Sequence, residues 1–502
     1  MPDIKRKTLY TAFSRTLTIA VNVVSQFVLT PIILNFLGTT LYGIYTIVNK
    51  ANNFLSIVDI RPTAILRLKL AHEQLSGNSI EKRRYIGASY VISMLFTPIF
   101  VIGGCILACY FPDLFHIETK FVGETRYAII SLSVFLAING FWGIPEASLR
   151  GSNLEYKGFF IEPIRLLLVA ALTILFLYLR MGLMSVIYAM FIGSLFAYIS
   201  RTMLRRRFLP DLYAIAPTFA HVKYFFNKGG WYMLSSFIMQ VINNFDVILI
   251  GILMTPEAVT IFAVTKSIIF RISESAETLI TSTTSSIGEI VGSGNKVRMN
   301  NARTSLFNLA IPLSLFIASY FFLFNEAFIA FWTGSDVYAG NTINTLICIS
   351  AIFLMLTSTE EIFVQSSLNF TVKTCCLFIS ATIAILISII LNDKLGLVGN
   401  AIGILTGRIT LFVLYFLYNN KLIGDNLHFK VSYIMKIICL TVIVAMFKVF
   451  MSDFIASTLF NFIIGSFGFI VIVGSYIYFL LLEKKIKIQL SSLLLRKIDT
   501  LK

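Results

Sequence analysis

The sequence predicts an all-α membrane protein that crosses the bilayer many times. Of its 502 residues, 57% are hydrophobic and only 13% are charged, whereas a soluble globular protein carries about 25% charged residues. Apolar runs of roughly 20 residues recur along the whole chain, and each is long enough to cross ~30 Å of hydrocarbon as a helix. Lysine and arginine concentrate in every second connection, which is the pattern that the positive-inside rule gives for a polytopic protein.

Fourteen apolar runs are the candidate transmembrane helices. Their predicted spans are 9–36, 41–66, 85–110, 126–149, 159–179, 183–204, 225–251, 257–287, 304–330, 339–366, 374–391, 397–418, 431–451 and 458–482. If the N-terminus lies inside, the inner segments carry 27 lysines and arginines and the outer connections carry three. If one helix had been missed, the lysines and arginines of all later inner segments would lie on the outer side. The charges therefore predict fourteen spans with both chain ends in the cytoplasm.

An internal repeat predicts how these helices are grouped. A shift of 216 residues places Lys50 of the second span opposite Lys266 of the eighth. Six spans separate the two, so both run in the same direction, as in transporters built from parallel repeats around a central site. We therefore predict two pseudo-symmetric six-helix bundles around a central cavity, followed by two extra C-terminal helices. The predicted parts are the N-terminal bundle 1–208, the C-terminal bundle 209–424, transmembrane helices 13 and 14 in 425–482, and a basic cytoplasmic tail 483–502, which should lie on the membrane surface.

Several charged residues lie inside predicted spans, where a charge costs at least ~2.5–3.5 kcal/mol. Lys50 and Arg61 are eleven residues apart on the second span, so a helix would place them on one face, one above the other. Such a cationic face predicts an anionic cargo. Arg408 follows the glycines of Gly399-x-x-x-Gly403-x-x-x-Gly407, a ridge typical of close helix packing. Whether Arg408 faces the cavity stays open at this point.

The chain resembles a known family. The arrangement of 6 + 6 + 2 helices, the basic N-terminus, and the segment LGTTLYGIYTIVNK after Thr30-Pro31 are similar to the Wzx-type polysaccharide biosynthesis flippases. These belong to the multidrug/oligosaccharidyl-lipid/polysaccharide (MOP) exporter superfamily. The resemblance implies that the protein moves an undecaprenyl-pyrophosphate-linked oligosaccharide from the inner to the outer leaflet by alternating access. The cargo would be a repeat unit of O-antigen, capsule or exopolysaccharide, and the location the bacterial cytoplasmic membrane.

The resemblance also implies where cations should line the cavity. The matching positions are Arg15 on the first span, Lys50 and Arg61 on the second, and Lys266 and Arg271 on the eighth. Together with Arg408, these six residues are the candidate pyrophosphate- and glycan-binding cations. For some of them a structural explanation stays open. Arg15 and Arg61 are placed to reach the inner headgroups, and Arg271 and Lys266 have Glu274 and Asp246 as candidate ion-pair partners.

No cofactor or bound metal is expected, and ion coupling is the open question. The candidate residues for H⁺ or Na⁺ coupling are Asp59, Asp246, Glu274 and Glu277. The expected partners are the polyprenyl-pyrophosphate-linked glycan, membrane lipids and the polysaccharide polymerase or chain-length machinery. The arginines at 205–207 are explained by membrane topology, so nucleic acid is not expected.

Two alternative functions are conceivable for a polytopic chain with charges inside its spans. A polysaccharide polymerase or ligase should carry a large outer loop with catalytic basic residues, whereas the outer connections here are short. The four histidines are far apart in loops, which makes a metal site or catalytic triad improbable. A drug/cation antiporter of the same superfamily would use an acidic cavity. The acidic residues Asp246, Glu274 and Glu277 keep that alternative open.

Overall fold

The computed structural model describes residues 2–55, 62–72, 79–152, 154–281, 283–367, 369–424 and 431–481. Within these ranges every regular element is helical. The helices are α1 (Pro2–Leu55), α2 (Pro62–His72), α3 (Ser79–Leu114), α4 (Thr119–Gly151), α5 (Ile161–Tyr178), α6 (Met184–Phe208), α7 (Phe219–Leu253), α8 (Pro256–Thr281), α9 (Thr284–Gly292), α10 (Lys296–Trp332), α11 (Asn341–Ser366), α12 (Phe370–Leu395), α13 (Leu397–Ile423), α14 (Val431–Ser457) and α15 (Leu459–Tyr476).

Most of the predicted spans each correspond to one of these helices, while the first, second and eighth do not. The first span and most of the second form α1, which bends at Gly38 (φ 76°, ψ 173°). Glycine is the residue that adopts a positive φ without steric cost. The eighth span is divided between α8 and α9.

The structure shows a multi-pass membrane protein. Among the described residues, eleven helices are long and apolar enough to cross a membrane. The polar helix α8 is not one of them, because Lys266, Arg271, Glu274 and Glu277 all lie on it. The all-α class is therefore confirmed, while the number of fourteen spans and the position of the chain ends stay predictions.

The chain forms two compact units, Met1–Thr260 and Ile261–Lys502. Helix α7 belongs to the first unit, where it packs against α1 and α3. The units group residues by packing, whereas the predicted bundle boundary at 208/209 is defined by sequence repetition. That boundary and the pseudo-symmetry of the bundles therefore stay predictions.

A core of apolar side chains holds the first unit together between α2, α3, α4 and the start of α7. Leu66, Ile92, Ile144 and Phe225 are fully buried in it. A polar contact joins α1 to α4, since Ser133 Oγ donates a hydrogen bond to Asn52 Oδ1 at 2.9 Å. Within a bilayer the lipid tails are as apolar as these side chains, so close van der Waals packing and such interhelical hydrogen bonds hold the helices together.

The predicted glycine ridge is confirmed in the second unit, where α13 packs closely against α12. A Cβ atom at Gly403 would overlap Ser388 Oγ and lie 2.7 Å from the carbonyl oxygen of Ala384. Ser380 Oγ donates a hydrogen bond to the Gly407 carbonyl at 2.9 Å. The absence of side chains on the ridge allows the two backbones to approach closely.

Helices α14 and α15 pack against α10 through aromatic rings. The rings of Phe324 and Phe469 lie 5.6 Å apart edge to face, and Tyr320 stacks on Phe324 at 4.9 Å. Edge-to-face and offset-stacked rings at this distance contribute about 0.5–1.5 kcal/mol each beyond burial. The two extra C-terminal helices are thus part of the second unit. The basic tail 483–502 lies outside the described residues.

Candidate functional site

Lys50 lies on the part of α1 that follows the bend at Gly38. The buried face of this segment is formed by Ile47, Val48, Ala51 and Asn52. Lys50 is half-buried at the edge of that face, because each helical residue is rotated by about 100° from the last. This placement puts a cation beside an apolar stripe.

The other candidates in the first unit have different placements. Arg15 lies on α1, where only the course of the helix is described. Asp59 and Arg61 lie outside the described residues. Asp246, on α7, is 1% exposed. A buried carboxylate of this kind is unfavourable in a membrane unless it is functional or paired.

In the second unit the structure brings two predicted cations to one aromatic ring. Lys266 Nζ lies 4.7 Å from the centroid of the Phe270 ring, and Arg408 Cζ lies 6.0 Å from the same centroid. Lys266 and Phe270 are four residues apart on α8, while Arg408 comes from α13. We call these three residues the Phe270 cluster. Cations near an aromatic face are stabilised by the ring quadrupole, so the cluster concentrates positive charge on the ring.

Acidic side chains lie next to the Phe270 cluster. Glu277 Oε1, on α8, accepts a hydrogen bond from Ser358 Oγ at 2.6 Å, and it interacts electrostatically with Arg408 and Glu361. Glu361 in turn forms an ion pair with Lys373 at 2.7 Å. In this part of the second unit, acidic and basic side chains from α8, α11, α12 and α13 therefore interact with one another.

The remaining candidates on α8 are Arg271 and Glu274. Arg271 is half-buried and Glu274 is exposed. Their predicted pairing stays a prediction, as does the pairing of Lys266 with Asp246. Phe270 and Arg408 link three of the predicted site residues of the second unit, namely Lys266, Arg408 and Glu277.

A buried hydrogen-bond network sets the position of α8 next to Lys266. Asn325 Nδ2, from α10, donates to the Thr265 carbonyl at 3.2 Å and to Asn344 Oδ1 at 2.8 Å. The backbone N–H of Ala339 donates to Thr265 Oγ1 at 2.9 Å. Buried amides of this kind are costly unless they are hydrogen-bonded. The network therefore orients the residue that precedes Lys266.

The sequence reasoning missed a fully buried ion pair in the second unit. Arg303 of α10 and Glu360 of α11 are both 0% exposed, and Arg303 Nη2 lies 2.6 Å from Glu360 Oε1. Arg303 Nη1 also donates to Asn420 Oδ1 at 2.7 Å, and Asn419 Nδ2 donates to Glu360 Oε2 at 2.5 Å. The complete set of partners indicates a structural role, because it links α10, α11 and α13.

A second charged group was also missed, in the first unit. The sequence places Glu146, Glu162 and Arg165 close to the inner surface, where membrane-surface positions explain them. In the structure Arg201 of α6 bridges Glu146 of α4 and Glu162 of α5, at 2.7 and 2.6 Å. The sequence signal was that charged residues lie close to the inner surface on three consecutive predicted spans, at the end of the fourth, the start of the fifth and the end of the sixth. These charges line a cavity of about 610 Å³, which we call the α4–α6 cavity.

The described residues contain no group of three or more His, Cys, Asp or Glu side chains that could hold a metal ion.

A model of the polysaccharide biosynthesis protein family matches residues 11–284, which is more than half of the chain. No curated protein sequence matches the chain.

Solved structures of MOP-type transporters have the same fold. The lipid II flippase MurJ in its inward closed conformation superposes with a TM-score of 0.67 and 16% identity, over 94% of this chain and 98% of that one. An inward-facing multidrug resistance MATE family transporter of the MOP superfamily gives 0.63 and 16%, over 83% and 94%. A MOP superfamily transporter from Pyrococcus furiosus, described as having a binding pocket of reverse polarity, gives 0.53 and 14%, over 84% and 96%.

These similarities agree with the resemblance found in the sequence. The membrane-spanning helices, the charged residues within them and the family match point to the same group of proteins. The chain belongs to the polysaccharide biosynthesis protein family and has the fold of MOP superfamily transporters.

Proposed function

We propose that the protein is a flippase that moves a polyprenyl-pyrophosphate-linked oligosaccharide from the inner to the outer leaflet of the bacterial cytoplasmic membrane. The family match carries the proposal. The cations inside the transmembrane helices support it, because a pyrophosphate needs charge-assisted hydrogen bonds to replace its hydration. Lys50, Lys266, Arg271 and Arg408 are the residues proposed to supply them.

The membrane potential favours this direction of transport. Moving a dianion outward through ~100 mV, with the cytoplasm negative, is downhill by ~4.6 kcal/mol. Return of the empty carrier then requires a second energy source, and we propose coupling to H⁺ or Na⁺ through Asp59, Asp246, Glu274 or Glu277. Transport that persists in vesicles after both ion gradients and the potential are collapsed would contradict this coupling.

Replacing Lys50 or Arg271 by alanine is expected to abolish surface glycan while the lipid-linked precursor accumulates. The physical reason is the loss of a cation that stabilises the pyrophosphate away from water. The measurement compares surface glycan with extracted precursor at matched protein levels. Lys120→Ala is the control, because Lys120, in the first turn of α4, has a side chain that is 64% exposed next to Glu118. Full surface glycan in both variants would refute the proposed role of these cations.

The Phe270 cluster gives a prediction about non-additivity. Lys266→Gln and Arg408→Gln are each expected to lower transport partially, since one cation stays on the ring in each single variant. The double variant is expected to lose more than the product of the two single losses, because neither cation is then left on the ring and residues that share a contact are commonly non-additive. A double-mutant cycle in the surface-glycan assay measures the coupling, and strictly multiplicative effects would show that the two cations act separately.

A drug/cation antiporter is the alternative from the same fold. It is disfavoured by the two cations on Phe270, which would repel a cationic substrate. Retention of surface glycan in all of these variants, together with increased drug sensitivity of the cells, would favour the antiporter.

A further inference from the structure

The connection between α6 and α7 is not helical, and it lies along the first turns of α3. It comprises residues 209–218, which we call the strap. Pro210 and Pro217 stand near its two ends. Proline fixes its own φ and favours an extended conformation of the residue before it, so both ends of the strap are stiff. Because the strap joins the two predicted six-helix bundles, its course decides how the bundles are connected.

Arg83, in the second turn of α3, holds the strap at every second residue. Its Nε donates a hydrogen bond to the Asp211 carbonyl at 2.6 Å, and its Nη1 donates to the Tyr213 hydroxyl at 2.8 Å. The guanidinium carbon also lies 4.2 Å from the centroid of the Tyr213 ring. The backbone N–H of Ile215 donates to the Arg83 carbonyl at 3.4 Å. Lysine could not replace this set of contacts, because it lacks the planar fork of donors that also stacks on a ring.

Gly87, one turn further along α3, allows the strap to touch the helix backbone. A Cβ atom at Gly87 would overlap the carbonyl oxygen of Ile215 and lie 3.4 Å from Cδ of Pro217. Even the methyl group of alanine would therefore displace the strap. The position of the strap thus depends on two independent features of α3, namely the guanidinium group at position 83 and the absence of a side chain at position 87.

The start of α7 is attached to α3 as well. Thr218 Oγ1 lies 2.6 Å from Nδ1 of His221, and Nε2 of the same ring lies 2.5 Å from Glu81 Oε2 on α3. His221 is buried in this contact. Phe225, one turn further along α7, is fully buried in the apolar core that α2, α3 and α4 share. The strap and the first two turns of α7 therefore form one continuous contact with the first unit.

This contact is too extensive to separate and reform in every transport cycle. It combines charge-assisted hydrogen bonds from a guanidinium group, a cation–π contact and a fully buried aromatic ring. Separation would leave buried polar groups without partners and expose apolar side chains. The packing agrees with a permanent contact, since α7 belongs to the compact unit Met1–Thr260 although the sequence repeat places it in the second bundle.

We propose that the strap keeps the first two turns of α7 attached to the first unit throughout the transport cycle, and that Arg83 is the positioning residue of this attachment. The start of α7 then moves with the first unit, and the conformational change of transport takes place further along the chain. The importance of the strap for transport rests on the proposed flippase function. The attachment itself does not, so the two can fail independently.

Limited digestion by chymotrypsin tests the attachment in the purified full-length protein in nanodiscs. Tyr213 is 51% exposed, but cleavage after it requires local release of the strap. Arg83→Gln and Gly87→Ala are each expected to accelerate this cleavage about tenfold, because each makes local opening easier. Mass spectrometry identifies the fragments. Two matched controls should digest like the native protein. Arg84→Gln removes the same charge one residue later, and Gly123→Ala adds a Cβ atom that meets no other atom within 4 Å.

A cross-link between α3 and α7 tests whether the attachment is permanent. The variant Glu81→Cys/His221→Cys, with the six native cysteines replaced by alanine, is treated with a short bismaleimide. Transport is measured in membrane vesicles that carry the lipid-linked precursor, and N-ethylmaleimide is the control reagent. The cross-linked protein is expected to keep its transport, because the link joins parts that move together. Arg83→Gln in this background is expected to lose transport several-fold and to regain it on cross-linking, since the covalent link replaces the lost attachment.

The outcomes separate the possible explanations. Native rates of cleavage in both Arg83→Gln and Gly87→Ala would overturn the strap as an attachment. Loss of transport on cross-linking, but not with N-ethylmaleimide, would show that α7 separates from α3 in each cycle and would overturn the permanent contact. Faster cleavage of Arg83→Gln with native transport would refute the positioning role of Arg83.

Two further results decide between the strap and the flippase function. If gel filtration shows that Arg83→Gln does not fold, Gly87→Ala and the cross-link still test the attachment, because neither changes Arg83. If digestion proceeds as predicted in a protein that fails the surface-glycan assay, the strap is intact and the flippase assignment is overturned.

Discussion

Replacing Arg303 by methionine is expected to lower the free energy of unfolding by about 3–5 kcal/mol. The pair formed by Arg303 and Glu360 is completely buried. Removal of one partner leaves the other charge in the protein interior without its counter-charge, and such an uncompensated charge is strongly destabilising. The amide groups of Asn419 and Asn420 cannot replace the missing guanidinium charge.

The stability measurement is the fraction of folded protein that survives heating in detergent, followed by size-exclusion chromatography. Lys120→Met is the matched control, because its ion pair with Glu118 is largely exposed, and surface changes of this kind usually alter stability by less than ~0.5 kcal/mol. The double variant Arg303→Met/Glu360→Met should recover much of the loss, since it removes both charges. A single Arg303→Met variant as stable as the native protein would contradict the structural role of the pair.

Replacing Gly403 by leucine is expected to destabilise the second unit by about 1–3 kcal/mol, the usual cost of overpacking. The new side chain would collide with Ser388 and with the backbone of Ala384, so α12 and α13 would have to separate. The same substitution at Gly468 on α15 is the control. A Cβ atom at Gly468 meets no other atom within 4 Å, so the change should be nearly neutral.

Thermal unfolding of the two glycine variants distinguishes close packing from a general effect of leucine. If both variants lost stability equally, the ridge on α13 would not explain the result. If Gly403→Leu kept native stability, the close approach of α12 and α13 would be wrong.

The Phe270 cluster shows where sequence reasoning reached part of the site. Lys266 and Arg408 are predicted site residues because each is a charge inside a predicted span. Their common contact with Phe270 depends on the rotation of α8 and α13 about their axes. Successive residues of a helix are rotated by about 100° about its axis. The sequence therefore predicts the depth of each cation in the membrane but not the side chain that it contacts.

The sequence by itself determined the all-α membrane class, the course of the helices, the unusual polarity of α8 and the glycine ridge of α13. These features follow from composition and periodicity, which are local and add up along the chain. Only the tertiary structure decided that Arg303 pairs with Glu360 and that Arg201 joins Glu146 to Glu162 beside a cavity. The physical reason is that an ion pair requires two charges within about 4 Å, a distance set by how distant helices pack against each other.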